Sequence, residues 1–330
     1  MVDILIVSLS GTHGLEEADT ELAASLRRAG ASVARVTAKA PPDVRTFMLT
    51  DLLWARAARA ATAGAPPARA TVYSSTTAAL LWPRPGAIRF DAAARGNRPG
   101  RHGLWQRRVE RRRLAEASLL LPWSAGALEE AGRAAAERPS VVIPVPVERS
   151  GPPEARDLAA VTYGANPRKK GLDRVLEAWS SARRGDEQLV VAGVREVEVR
   201  RRLGEGAAAT PGVRFAGTLR RVEYRALVRR ARVFVTAPRR EDYGIAQLEA
   251  LADGAQLVTT ATPGPYAALP LASALDSRLV GEDLRGALRA ALDSPSADYA
   301  ERARALMDPW RRDAVDAVVA EQLLPALLGR

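Results

Sequence analysis

Cysteine is absent from this sequence of 330 residues, which excludes disulfides and thiolate metal sites and makes a reducing, cytoplasmic setting the expectation. No apolar run approaches the roughly 20 residues that a membrane-spanning helix needs. The opening run, Val2 to Leu9, has neither a basic leader nor a small-residue cleavage site, so it reads as a first strand. Lysine is almost missing: Lys39, Lys169 and Lys170 are the only ones among 49 basic side chains. The net charge of +11 therefore comes from arginine spread over many predicted helices. No zinc-finger spacing, aromatic RNA-binding strand or basic heptad region accompanies it, and nucleic acid is not an expected partner. Solvated faces absorb most of this charge, with peripheral contact to an anionic membrane at its inner face left open. Asp-x-Asp pairs, fixed-period repeats and the GxGxxG fingerprint are missing too, so neither a divalent metal nor a dinucleotide cofactor is expected.

What remains is a globular composition, 47% hydrophobic and 26% charged, long enough for two cores. In the first half the apolar runs VDILIVSL, SVARVTA, ATVYSS, GAIRF, SLLLP and SVVIPV alternate with mostly helical patterns. LAAVTYG, QLVVAG, VRFAG, RVFVTA and LVTT restart the alternation in the second. This order predicts an α/β chain with two Rossmann-like, doubly wound domains. Between the halves, ERSGPPEARD is rich in proline, glycine and charge and reads as a linker. The expected organisation is a first domain over 1–148, a linker over 149–157, a second domain over 158–308, and a C-terminal helix over 309–330 whose apolar face suits packing on the first domain. Ser124 is expected to cap the helix in WSAGALEEAGRAAAE, and Trp105 and Trp123 read as packing residues.

The stretch from Arg232 to Thr260 reads as strand, polar loop, helix and strand, with Gly254 as the helix stop. In such units the loop after the first strand lies at the carboxyl edge of the sheet, where ligands bind. Glu241 falls in that loop and Glu249 on the helix. A helix start near Gly244, preceded by Tyr243, points N–H groups at an anion. Carboxylates beside an anion site suit the hydroxyls of the same ligand, and a phosphorylated sugar meets both demands. The loop GANPRKKG, Gly164 to Gly171, precedes another helix. Two adjacent lysines in an arginine-rich chain suggest a need for a compact ammonium, and Lys170 beside a helix start and two glycines would make a diphosphate site, with a plain surface-loop reading beside it for Lys170 and more so for Lys169. Gly264, in TPGPYAALP, reaches the same edge and is expected to approach phosphate, although the flanking prolines remove two donors.

In the first half, the loop SGTHG contains Gly11, which permits close backbone approach to a ligand. His13 has two readings of equal weight, a contact to acceptor or reacting sugar and a plain polar loop residue. After GAIRF a long irregular loop carries Asp91, Asn97, Arg98, Arg101 and His102, a set suited to an anionic or polyhydroxyl acceptor. Each arginine there has a competing reading as part of a solvated basic loop. Asp91 ends a strand and so faces the carboxyl edge.

AVTYGANPRKKGLDRVLEAW and VRFAGTLRRVEYRALVRRARVFVTAPRREDYGIAQLEALADGAQLVTT together resemble the C-terminal half of GT-B-fold retaining glycosyltransferases of family 4, glycosyltransferase group 1. The resemblance covers Val161 to Thr260, and the first half is similar only in layout, as an acceptor domain. It implies two domains facing across a cleft and a metal-independent, retaining transfer of sugar from a nucleotide-diphosphate sugar to a hydroxyl. The acceptor would be a small molecule, a glycan or a lipid-linked compound, and no cofactor beyond the donor is implied. By position, Glu249 matches the glutamate on the ribose hydroxyls, Glu241 the one beside the donor sugar and its phosphate, and Lys170 the lysine on the diphosphate. Tyr243 and Gly244 match the aromatic-glycine pair whose amides lie near sugar or phosphate. The expected catalytic set is Glu241, Lys170 and Asp91. The sequence departs from the family in three places: Ala165 follows Gly164 where arginine is usual, Arg239 stands for a serine, and Arg89-Phe90-Asp91 stands where the family has a histidine. Arg168 is the expected substitute for the missing arginine. Three rival readings stand beside this one. Two carboxylates roughly 5 to 10 Å apart would serve glycoside hydrolysis, but that leaves the lysine-glycine loop without a purpose. The others are a non-catalytic nucleotide-sugar-binding or membrane-surface protein on the same fold, and a nucleotide-sugar epimerase.

Overall fold

The computed structural model describes residues 1–330 apart from Thr12, Asp43, Arg45 and Arg330 and the side chains of His13, Phe47 and Ala134. Among the described residues ten strands form two sheets of five. β1 (Val2–Leu9), β2 (Val33–Ala38), β3 (Ala68–Tyr73), β4 (Ala87–Phe90) and β5 (Leu119–Pro122) pair in the order β2-β1-β3-β4-β5. β6 (Leu158–Tyr163), β7 (Leu189–Ala192), β8 (Val213–Gly217), β9 (Ala231–Thr236) and β10 (Gln256–Thr259) pair in the order β10-β9-β6-β7-β8. All neighbours are parallel, which calls for cover on both faces, and β4, β5, β7 and β10 are buried along their whole length. The strand order reverses between β1 and β3 in one sheet and between β6 and β9 in the other. Loops leaving the carboxyl ends of those strands border the crevices where open α/β sheets hold ligands.

The chain divides into two units, Met1–Pro146 with Pro309–Arg330, and Val147–Asp308. In the first, the alternation of a strand sends Ile4 and Ile6 to one face of the sheet and Leu5 and Val7 to the other. Val315, Val319 and Leu323 join Ile4, Ile6, Leu22 and Leu26 on the first of these faces. They come from a C-terminal helical run, Arg312–Val318, a π turn Val319–Leu323, and Leu324–Leu328. Pro325 lacks an N–H, and its ring crowds the carbonyl four residues back at Glu321, which accounts for the wider π turn at that point. Asp316 fixes the run to the helix His13–Arg28 by accepting from Arg28 Nε at 2.6 Å.

Three local expectations need revision. SVVIPV forms no ladder strand: Ser140 makes an isolated bridge to Leu120, and Val141 and Ile143 donate at 2.9 Å before Pro144 and Pro146 deprive the segment of donors. The helix capped by Ser124, whose hydroxyl accepts from Ala127 N at 3.2 Å, stops at Gly132 with φ of 80°, and a separate short helix follows. The Pro-rich segment after Glu148 does not hang between units. Ser150 donates from N and Oγ to Asp253 at 2.8 and 2.9 Å, which builds it into the second unit. Trp123 is buried with the Arg89 guanidinium 4.7 Å over its ring, in keeping with packing.

Candidate active site

At the switch point of the second sheet, the loop after β6 and the loop after β9 touch backbone to backbone. Gly171, at φ of 62°, lies so close to Ala237 that a Cβ would stand 1.8 Å from its carbonyl oxygen. Asn166 also takes a left-handed conformation, φ 55°, which folds the loop so that its carbonyl accepts from Lys170 N at 3.1 Å. Arg239, the residue standing for a serine, straps the loops together. Its guanidinium donates to Asp173 at 2.9 and 2.6 Å and to the Arg168 carbonyl at 2.8 Å, while its backbone N donates to the Lys169 carbonyl at 3.1 Å.

This contact brings two pairs of opposite charges together. Lys170 Nζ lies 2.7 Å from Glu241 Oε2, and Lys169 Nζ lies 3.0 Å from Asp242 Oδ2. Glu241 is buried and also accepts from Gln247 Nε2 at 2.9 Å, while Lys170 remains 21% exposed and able to meet a ligand. Gln247 is a residue the sequence reading missed. It is 1% exposed on a helix whose neighbours Leu248, Ala250 and Leu251 are buried, and a polar side chain within that apolar run, beside Glu249, was the available signal. Tyr266 extends the buried network, with its hydroxyl 3.0 Å from Thr259 Oγ1, and burial drives its phenol pKa far up.

The glycines here have packing reasons. Gly264, at φ of 115°, abuts the Glu241 carbonyl, where a Cβ would lie 2.2 Å away, and Glu241 N donates to Pro263 O at 3.1 Å. The Glu241 peptide is thus enough to require glycine at 264. Gly244, in the left-handed region, packs against the Tyr266 ring and starts the helix Ile245–Ala252, and the buried Tyr243 accepts from Ala267 N at 3.1 Å. Gly164 lies against Val194 and Leu172.

Glu249 is buried one helical turn further on. Its Oε1 is 2.7 Å from Arg221 Nη2 and 3.3 Å from Arg225 Nη1, and Arg225 continues to Asp253 Oδ2 at 2.8 Å. Burial raises the Glu249 pKa, with the arginines opposing it, and the same carboxylate adds to the burial that raises Tyr163. Neither arginine was anticipated, although Arg221 and Arg225 stand four apart on one helix face. Arg168, the expected substitute for the missing arginine, lies away from the Lys170–Glu241 pair. It is exposed and turned away, donating from Nε and Nη2 to the Arg202 carbonyl at 3.3 and 3.2 Å, because the turn through Asn166 points it outward.

In the first unit, Asp91 follows β4 directly, at the carboxyl edge, and is half-buried. Gly11 follows β1 beside the switch point, and a Cβ there would meet only Trp54, at 4.0 Å, so no close approach within the protein requires the glycine. The side chain of His13 lies outside the described residues. The basic loop is held from within: Arg98 donates to Asp51 at 3.0 and 3.2 Å, and Arg107 donates to the carbonyls of Arg98 and Gly100. That holds Arg98 as a brace. Asn97 ends a short helix, and Arg101 and His102 are exposed on the turn that follows.

Beneath this loop Glu110 is buried and accepts from Ala94 N at 2.7 Å. Burial pushes its carboxyl up to about 7 from 4.5, against the pull of Thr76 and Ala94. Between those values the folded chain binds more protons than the unfolded one, so this group's contribution to stability is present below pH 4.5 and lost as pH rises through 7. Glu110→Gln should remove that slope and stabilise the protein at pH 8 by about 3 kcal/mol. Urea unfolding of both proteins at pH 5 and pH 8 measures it, and equal pH dependence in the two would contradict the assignment.

Residues 148–269 match the sequence model of the family described as glycosyl transferases group 1. This segment is a group 1 glycosyltransferase domain. It contains both glutamates, Lys170 and the arginines on Glu249. The whole chain is also similar to solved GT-B structures. One is WaaG, a glycosyltransferase involved in lipopolysaccharide biosynthesis, with TM-score 0.75 and 16% identity over 99% of this chain and 100% of that one. HepE of Anabaena, in complex with UDP and glucose, gives 0.70 and 14% over 98% and 99%. Sucrose-phosphate synthase of Thermosynechococcus elongatus gives 0.68 and 16% over 99% and 97%. At these identities the likeness shows the fold. No curated protein sequence matches the chain.

Proposed function

We propose that this glycosyltransferase retains the anomeric configuration of its donor sugar and works without a metal ion. The observation that carries the proposal is the Lys170–Glu241 pair at 2.7 Å, assembled from two loops at the switch point of the second sheet. In the proposed reaction the C1–O bond to the diphosphate breaks and a bond from the acceptor oxygen forms on the same face. The acceptor proton passes to the departing diphosphate oxygen. Charge grows on that diphosphate, and Lys170 with the N–H groups of the following helix start offsets it in place of a cation. Glu241, held by Gln247, orients sugar hydroxyls, and Glu249, fixed by Arg221 and Arg225, takes the ribose. Asp91, with Asn97, Arg101 and His102 on the loop after it, supports a polyhydroxyl or anionic acceptor of small-molecule, glycan or lipid-linked type. Among the described residues no helix is long and apolar enough to cross a membrane, and we place the protein in the cytoplasm with its basic face available to an anionic surface. No cofactor beyond the donor enters the reaction.

Calorimetric titration with UDP, GDP, ADP and dTDP in EDTA tests the donor site. One nucleotide should bind without metal, and Glu249→Ala should weaken it about tenfold or more, the value of one charge-assisted hydrogen bond. Equal binding by the variant, or binding only when a divalent ion is added, would remove the assigned ribose site or the metal independence. Anomeric analysis of the product by NMR decides retention, and recovery of an epimerised sugar still attached to its nucleotide would replace transfer with epimerisation.

A further inference from the structure

A cavity with charged residues in its walls lies in the Val147–Asp308 unit, at the edge of the sheet opposite to the Lys170–Glu241 pair. Its walls come from the segment that leads into β6, the ends of two helices just before β9 and after Glu249, and the helix Tyr299–Leu306. It encloses about 150 Å³. That is room for roughly five waters at about 30 Å³ each, too little for a nucleotide sugar. Arg149, Arg156, Arg229 and Arg304 line it with Glu154 and Asp253, while Pro152, Pro153, Ala252 and Ala300 give it an apolar wall.

Both carboxylates are already committed. Asp253 accepts from Ser150 N, Ser150 Oγ and Arg225 Nε at 2.8, 2.9 and 2.8 Å, and Glu154 accepts from Arg229 Nε at 2.8 Å. Among the described residues no carboxylate forms an ion pair with Arg149, Arg156 or Arg304. Arg156 is half-buried and donates only to the carbonyls of Ala231 and Asp253, and Arg304 donates Nε to Ala300 O at 2.9 Å. Burial lowers the Arg156 pKa, the Asp253 carboxylate opposes that, and the neighbouring Arg149 lowers it again by a smaller amount. Arg28, Arg98, Arg239 and Arg278, by contrast, each face an aspartate. The cavity thus gathers four guanidinium groups against two carboxylates.

We propose that this cavity binds a small phosphate monoester, its phosphoryl group on Arg149, Arg156 and Arg304 and its carbon part against Pro152, Pro153 and Ala300. Guanidinium forks match the oxygens of a phosphoryl group, and the apolar wall selects an ester over inorganic phosphate. The ester is either a free metabolite or the headgroup of a lipid, since the two share this chemistry.

Calorimetry with sn-glycerol 3-phosphate as the probe, and glycerol as the neutral control, tests the site on the full chain. Saturable binding of the phosphate alone is expected, weakened about tenfold or more for each guanidinium removed in Arg149→Ser and Arg304→Ser. Both side chains are exposed and brace nothing beyond one helical carbonyl, so these variants should keep native melting. Arg156 is left intact because it ties two backbone carbonyls. Binding of UDP, GDP, ADP or dTDP should be unchanged in the same variants, which separates failure here from failure at the donor site. Sedimentation with phosphatidylcholine vesicles containing phosphatidic acid decides the source. Vesicle capture lost in the double variant points to the lipid headgroup, and probe binding without capture points to a free ester. No saturable binding to either, or equal binding by native and double variant, would overturn the site.

Discussion

Lys170→Met should lower kcat and kcat/KM together, by about 10²–10³-fold, the cost of removing one preorganised charge from a leaving group. The equal fall is the diagnostic feature. Charge on the departing diphosphate is larger in the transition state than in the bound donor, so a cation there acts mainly on the barrier. Nucleotide affinity should fall less. The substitution has a structural effect as well, because it leaves Glu241 buried with only the Gln247 amide against it. An uncompensated buried carboxylate costs about 3 kcal/mol or more. Lys170→Met with Glu241→Gln separates the two effects. The double variant exchanges the ion pair for neutral groups of similar size and should recover most of the lost melting temperature, while transfer stays low. Transfer at the native rate by the single variant, or recovery of transfer in the double one, would show that the pair is structural.

Much of this site was legible in the sequence because βα loops are short and obey the rule that ligands meet the carboxyl edge. A strand ending at Thr236 followed by a helix at Ile245 leaves Glu241 nowhere else to go. The lysine pair stood out against the arginine around it, and the reversal of strand order then brought Lys170 to Glu241 from 71 residues away. What stayed hidden depended on side-chain reach across the fold. Arg221 and Arg225 meet Glu249 only because their helix packs beside its own, and Arg168 turns outward because Asn166 adopts a left-handed conformation that a non-glycine residue rarely takes. The strand expected at SVVIPV failed for a local reason that its prolines already stated. Gly264 lies at the expected edge, and its tight contact with the protein's own backbone at Glu241 is a reason for glycine that the sequence did not show.

Gly171→Ala should be the most damaging single methyl in the second unit, costing at least about 4 kcal/mol. Two effects add. Alanine is strained at φ of 62°, and its Cβ would stand 1.8 Å from the Ala237 carbonyl oxygen, a backbone atom that cannot swing aside as a side chain would. Gly30 isolates the first effect, since it has φ of 90° and a methyl added there would meet nothing within 4 Å. Gly30→Ala should therefore cost only about 1 kcal/mol. The difference between the two, measured by urea unfolding, reports the contact between the loops. That contact is also what sets Lys170 at its distance from Glu241, so Gly171→Ala protein that still folds at low temperature should lose donor binding, whereas Gly30→Ala should keep it. Equal destabilisation by the two substitutions would mean that the loops part easily, and the Lys170–Glu241 pair would then owe its geometry to the charges alone.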